Sequence, residues 1–311
     1  MSGDPGEAAV IDALLSGLPP TGFCAPGAGP GEDDCAVLPD GTAITADTLV
    51  EGVHFDHRLS PADVGWKAVA VNASDLGATG ATPQWCTLCL SLPRPLDLGW
   101  VRGFREGLHE ALQHFGLTLI GGDTTRSPGP RVVTLTAAGH APRPVLRGGG
   151  RPGDRLWVTG ALGGAAAGHD FGGEGLFALR RPHPPVAFGA AVGRAGLARA
   201  MMDLSDGLAA DLPRLCARSG VGAEVDPAAL PVHPALRGRP DPLPWMVSWG
   251  DDYELLIAAP PAQDVALSAL AARHQVSLTP IGALTVPPGV HLIGRPWPAP
   301  GFAHFGPPEA R

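Results

Sequence analysis

Apolar positions recur along the chain with spacings that alternate between the two-residue period of strands and the three-to-four-residue period of helices. Residues 7–15 carry a short helical pattern, and the Gly/Pro stretch after it reads as part of a flexible lead-in over residues 1–30. Residues 43–45 (AIT) predict a strand feeding Asp47. Residues 61–80 predict a helix with Ser60 at the N-cap and Pro61 just inside, and residues 84–92 (QWCTLCLSL) a second strand. Over residues 99–115, Trp100, Phe104, Leu108, Leu112 and Phe115 fall on one helical stripe, and residues 117–120 and 131–139 predict strands. The segment 141–152 is dense in Pro, Gly and Arg and carries little to pack, so it predicts a boundary between a domain over 31–142 and another over 150–306.

The second half repeats the order of parts. A strand at 155–159 leads into a glycine-rich turn at 160–168, a polar loop and a short helix at 185–195. Met201-Met202 leads into Asp203-Leu204-Ser205-Asp206-Gly207 and a helix ending near Ser219-Gly220. Strands at 223–225 and 253–259 and a helix at 262–274 follow. The expected fold is two α/β or α+β domains, with no close repeat at a fixed period.

Composition narrows the function classes. With 311 residues, 44% hydrophobic and 17% charged, the chain can bury a large core. Its 44 glycines and 35 prolines have no fixed period and mark turns rather than low complexity. The net charge is -8 and Lys67 is the single lysine, so no basic stripe exists to bind nucleic acid. No run approaches the roughly 20 apolar residues of a membrane span. Asp4 and Glu7 precede the first apolar run where a signal peptide carries positive charge, so the expected location is the cytoplasm. Cys24, Cys35, Cys86, Cys89 and Cys216 are odd in number and unevenly spaced, against a disulfide framework. Cys86 and Cys89 stand an odd distance apart on a predicted strand, which points them to opposite faces rather than to one zinc ion.

The chemistry lies in the acids. The chain has 21 aspartates against 9 glutamates, and Asp33-Asp34, Asp47, Asp75, Asp123, Asp203, Asp206 and Asp251-Asp252 sit at turns and element ends among small residues. Each alone reads as a turn, a cap or a helix-surface residue. If the two halves pack together, these acids converge. Two unit charges 4 Å apart at an effective dielectric of 20 repel by about 4 kcal/mol, so such a cluster must be protonated or bridged by divalent cations. Oxygen-only donors suit magnesium or calcium, and magnesium is commonly shared with substrate phosphates, which points to a nucleotide. No G-x-x-x-x-G-K-[ST] loop is present. The turn Gly160-Ala161-Leu162-Gly163-Gly164 follows a predicted strand, but no acid ends a second strand about 20 residues on, so it is a weak dinucleotide signal. Asn72 and Asp75, three apart, share one helix face.

Six blocks stand out together. They are Asp33-Asp34-Cys35-Ala36-Val37-Leu38, the run from Ile44-Thr45-Ala46-Asp47 to Val53-His54-Phe55, and Lys67-Ala68-Val69-Ala70-Val71-Asn72-Ala73-Ser74-Asp75-Leu76. Gly121-Gly122-Asp123-Thr124-Thr125-Arg126, Asp203-Leu204-Ser205-Asp206-Gly207-Leu208 and Asp252-Tyr253-Glu254-Leu255 complete them, with an echo at Gly301-Phe302-Ala303-His304-Phe305. In this order the blocks resemble the thiamine-monophosphate kinase family. The resemblance implies the aminoimidazole ribonucleotide synthetase-like superfamily: two domains with mixed sheets flanked by helices, ATP in the cleft between them, and a homodimer. It implies Asp34, Thr45, Asp47, Asp75, Asp123 and Asp203 as Mg2+ ligands, Asp206 holding a further ion, and Asp47, Asp123 and Asp203 as the catalytic carboxylates. Gly122, Arg147 and Ser205 would contact ATP, and His54, Asp251 and Phe302 would line the thiamine monophosphate site. The implied reaction is direct in-line transfer of the γ-phosphoryl group of ATP to thiamine monophosphate. Three positions depart from the family: Glu32 stands where Gly is usual, Ala46 where a hydroxyl is usual, and Asp251 where Glu is usual. The alternatives are another ATP-using enzyme of the superfamily, of the aminoimidazole ribonucleotide synthetase or selenophosphate synthetase type, or a non-catalytic nucleotide- or magnesium-binding protein on the same scaffold.

Overall fold

The structure is a computed structural model that describes residues 7–17 and 22–301; Phe302 lies outside them. Helix α1 (Glu7–Leu15) precedes the first domain. Helix α2 (Pro61–Ala78) is the element around which both halves are arranged. Ser60 and Asp63 close a capping box at its start, with Pro61 in the first turn. Nearly every α2 side chain is buried, from Val64 to Ala78, so the helix is an interior strut rather than an amphipathic surface helix. It lies against α3 (Leu98–Phe115), and at their crossing a Cβ on Gly107 would collide with the Ala62 carbonyl and one on Gly65 with the Phe104 carbonyl. The α3 stripe behaves as its spacing predicts: Phe104, Leu108 and Phe115 are buried, and Trp100 and Leu112 pack at the margin.

The first sheet runs β1 (Ala36–Val37), β2 (Thr42–Val50), β5 (Val132–His140), β3 (Thr82–Leu92), β4 (Thr118–Arg126) in spatial order. Only the β3–β4 pair is parallel. Cys86 is buried and Cys89 exposed, the opposite facing expected of them. Edge strand β4 is exposed along its whole length.

The second sheet runs β11 (Gly289–Leu292), β8 (Gly222–Val225), β10 (Leu278–Thr285), β6 (Arg155–Thr159), β9 (Leu255–Ala259), β7 (Ala200–Asp203). Helices cover both faces, which explains why β9 reads Leu-Leu-Ile-Ala-Ala and is buried throughout. Leu156, Val158, Leu256 and Ala258 meet Leu208, Leu212 and Leu215 of α7 (Leu208–Ser219) on one face. Trp157, Leu255 and Ile257 meet Phe188 and Val192 of α6 (Val186–Ala195) and Leu267 of α9 (Asp264–Arg273) on the other. The α2 helix also contacts α6 and β7, joining the domains. No helix among the described residues is long and apolar enough to cross a membrane.

Several elements differ from the sequence pattern. The end of the lead-in is packed: Ala28 is fully buried, and the Ala25 N–H donates to the Val37 carbonyl at 2.7 Å. Small side chains let that segment lie on the core. The strand expected at 43–45 extends to Val50. The turn expected over 160–168 ends at Gly163, where α4 (Gly164–Phe171) begins, and the polar loop contains α5 (Gly175–Arg180). The strand expected from Tyr253 starts at Leu255, because Asp251 and Tyr253 have φ of 67° and 52°, a left-handed backbone that no strand accepts. Strand β10 escapes the pattern because Pro280 and Gly282 interrupt it, and a register shift between them absorbs the irregularity. Strand β11 and α8 (Leu243–Val247) are too short to announce themselves.

The α2–α3 crossing gives a stability prediction. Gly107→Ala forces the helices apart and costs about 1–3 kcal/mol, measured as a lower denaturant midpoint. An unchanged midpoint would mean that the crossing is not close-packed.

Candidate functional site

Strand ends and α2 deliver acids into one gap. Asp75 lies near the C-terminal end of α2, Asp203 is the last residue of β7, and Asp34 precedes β1. One carboxylate oxygen from each lies within 4.8 Å of the others. Thr45 Oγ donates to Asp75 at 2.6 Å, and Ser74 Oγ donates to Asp203 at 2.6 Å. The Arg147 guanidinium donates to Asp34 through Nε at 3.0 Å and through a second, shorter contact, while the Arg147 backbone N–H donates to Asp33 at 2.8 Å. The other Asp34 oxygen is buried with no hydrogen-bond partner among the described residues.

Electrostatics mark this cluster as a place built for positive charge. Burial lifts the Asp75 carboxyl well above its usual range, and the charges of Asp47, Asp203 and Asp34 push it further. Asp203 is raised likewise, first by burial and then by Asp34. Burial, with Asp34 beside it, moves Asp33 up to about 7. Asp34 also rises through burial, although Arg147 opposes the shift. The donors are all hard oxygens, one of them buried and without a partner among the described residues, and Arg147, even with Arg214 also acting on Asp34, leaves the three carboxylates short of positive charge. That set fits a hard divalent cation and offers no soft ligand for zinc.

The cluster opens into a cavity of about 1020 Å³ between the domains. Asp33, Asp34, Thr45, Asp47, Asp75, Arg147, Ser205 and Asp206 line one part of it. Arg214 donates to Asp206 at 2.6 Å, and the Asp206 N–H donates to buried Asp211 at 3.0 Å, which fixes the turn entering α7. Burial and the neighbouring Asp206 raise Asp211 to about 8. Val53, His54, Phe55, Leu59, His169, Leu179, Trp249, Asp251 and Tyr253 line a more apolar part. The Val50 N–H donates to His54 Nδ1 at 3.0 Å, which leaves the ring proton of neutral His54 on Nε2. The Glu51–Arg131 ion pair ties that turn to the residue leading into β5.

The loop carrying Asp251 is held from several sides. Strands β7 and β9 pair with Asp203 opposite Leu255, so the loop leaving one lies on the loop entering the other. The Asp251 N–H donates to the Ser205 carbonyl at 2.8 Å and that of Tyr253 to Leu204 at 2.9 Å. A Cβ on Gly250 would strike the Ser205 carbonyl. Asp252 accepts from the N–H groups of Gly163 at 2.8 Å and Gly164 at 3.1 Å, and burial raises it to about 8. Its carboxylate therefore occupies the start of α4, so the glycine-rich turn is not a dinucleotide cradle.

Not every expected residue is brought together. Gly122 and Asp123 stand on edge strand β4 and do not line the cavity, because β4 is separated from β2 by β3 and β5. Phe302 lies outside the described residues, while neighbouring Gly301 lines the cavity and donates its N–H to Ser248 at 2.8 Å. Asn72 turns inward and donates to the Ala68 carbonyl of its own helix rather than joining Asp75 in the cavity. Sequence reasoning missed Lys67, Ser74, Asp211 and Arg214. Only the i, i+3 spacing of Asp211 and Arg214 on a predicted helix could have hinted at an ion pair.

An acid-lined cavity between two domains of this build defines a class. Residues 32–141 match the family model "AIR synthase related protein, N-terminal domain", and residues 151–294 match the corresponding C-terminal domain. Within that class, the thiamine-monophosphate kinase of Escherichia coli (strain K12) is 39% identical over 89% of this chain and 91% of its own length. The crystal structure of thiamine-monophosphate kinase from Stenotrophomonas maltophilia K279a is 38% identical with a TM-score of 0.76, covering 92% of this chain and 95% of that one. The structure of AaThiL complexed with AMPPCP and TMP is 29% identical with a TM-score of 0.85, covering 96% of this chain and 97% of that one. The chain belongs to the thiamine-monophosphate kinase family.

The repulsion at the cluster has a measurable sign. In chelator, Asp75→Asn relieves it and raises the melting temperature by about 2–4 °C per kcal/mol gained. In excess Mg2+ the parent chain melts higher than the variant. A parent that melts higher under both conditions would show that the carboxylates are not in conflict.

Proposed function

We propose that this chain transfers the γ-phosphoryl group of ATP to the phosphate of thiamine monophosphate, giving thiamine diphosphate and ADP by direct in-line transfer with magnesium bound. The observation that carries this reading is the meeting of Asp34, Asp75 and Asp203 from three distant segments, the first two on the wall of one cavity and Asp203 buried beside them. Support comes from near full-length likeness to thiamine-monophosphate kinases and from a relative that holds AMPPCP and TMP together.

The nucleophile needs little activation. The second pKa of a phosphate monoester is near 6, so most of it is dianionic at neutral pH and no strong base is required. The task is to bring two polyanions together in line. Asp34, Thr45, Asp47, Asp75 and Asp203 would hold magnesium, with Asp206 at a further ion; when bound, magnesium supplies the charge neutralisation that phosphoryl transfer demands. Arg147 and Ser205 take the nucleotide end. His54 and Asp251 take the thiamine end, and Phe302, which lies outside the described residues, is assigned the same role. Phe55, Leu59 and Trp249 offer an apolar wall to the ring system of the acceptor.

Asp123 and Gly122 reach a site through a second copy of the chain. Nine consecutive exposed residues, Leu119 and Ile120 among them, on an edge with no neighbouring strand among the described residues, form a surface that a strand from another subunit would cover. We therefore place Asp123 with the metal ligands and Gly122 with the ATP contacts of a homodimer, working in the cytoplasm.

Incubation of the chain with ATP, Mg2+ and thiamine monophosphate yields thiamine diphosphate, read by separating the thiamine esters. Asp47→Asn and Asp123→Asn each lower turnover at least about a hundredfold while circular dichroism stays unchanged. Near-parent turnover in both refutes the metal assignment.

A further inference from the structure

Lys67 is the single lysine of the chain and Tyr253 the single tyrosine, and both hold Asp251. Lys67 sits on α2 with a side chain 2% exposed, and its Nζ donates to Asp251 Oδ2 at 2.7 Å across 184 residues of sequence. The Tyr253 hydroxyl donates to Asp251 Oδ1 at 3.0 Å. We infer that Lys67 is a positioning residue for the thiamine end of the cavity: with Tyr253 it fixes the Asp251 carboxylate across the gap between the domains without touching substrate itself. The inference rests on the role given to Asp251 above and adds what makes that role possible.

A buried ammonium is costly unless paired, and elsewhere every basic residue of the chain other than histidine is arginine. A lysine kept only in the interior of α2 therefore serves its partner rather than solubility. Asp251 itself is a poor candidate for self-positioning. Its backbone sits at φ 67°, its side chain is short, and it is 30% exposed to the cavity. One donor on each oxygen fixes the plane of the carboxylate and still leaves acceptor capacity, since a carboxylate takes about four hydrogen bonds. The Lys67–Asp251 contact also bridges a helix of the first domain and a loop of the second, so it sets the width of the cavity at that point. The lysine stem sets how far the Asp251 carboxylate reaches into the cavity.

The burial asymmetry makes the test clean. Lys67→Met replaces the ammonium with a buried apolar chain of similar length, and the released Asp251 remains accessible to water. The Michaelis constant for thiamine monophosphate should rise about tenfold or more, while that for ATP and the melting temperature stay at parent values. Tyr253→Phe should raise the same constant to a smaller extent. In an Asp251→Asn background, Lys67→Met should add no further loss. Parent-like constants for thiamine monophosphate in both single variants, an equal rise for ATP, or losses that multiply in the double variant would overturn the inference. If Lys67→Met does not fold, Tyr253→Phe decides alone. A parent chain inactive on thiamine monophosphate overturns the functional reading first, and this inference falls with it.

Discussion

Three carboxylates buried within reach of one another are the constraint on which the rest of the molecule depends. Asp34, Asp75 and Asp203 repel each other in a low-dielectric gap, and Arg147 alone cannot balance them. Such a cluster loses stability for the free chain, so its presence demands both a rigid frame that holds the acids in place and a ligand that rewards the arrangement. The frame is visible in α2, buried along nearly its whole length, and in β7 and β9, whose pairing stacks the two acidic loops.

The cavity divides its work by chemistry. Asp33, Asp34, Asp47, Asp75 and Asp206 gather with Arg147 and Arg214 in one part, and aromatic and aliphatic side chains gather around His54 and Asp251 in the other. The two parts are joined by elements whose positions are fixed from the interior. Asp252 shows how far this goes: one residue from Asp251, it is spent entirely on the protein's own helix start. Adjacent acids of the same type thus have opposite fates, one facing the cavity and one locked behind it.

Much of this was legible from the residues alone. The Ser60–Pro61 signal located α2, the apolar stripe located α3, and the run of apolar residues at 155–159 located β6, because each is a local pattern with a local cause. The acids stood out because they occupy element ends among small residues. What stayed hidden was non-local. Lys67 offers no hint of its partner, since an isolated lysine in an apolar helix pairs with something 184 residues away. The exposure of β4, and with it the separation of Asp123 from the other acids, follows from strand order in the sheet, which periodicity does not encode. The late start of β9 depends on two left-handed residues, Asp251 and Tyr253, whose conformation is imposed by the loop beneath them.

Crystals of the chain grown with Mn2+ and a non-hydrolysable ATP analogue, measured at the manganese absorption edge, test the central claim most directly. The account predicts anomalous density bounded by Asp34, Asp75 and Asp203 within the interdomain cavity. Density confined to other surface acids, or none at all with the nucleotide in place, would contradict it.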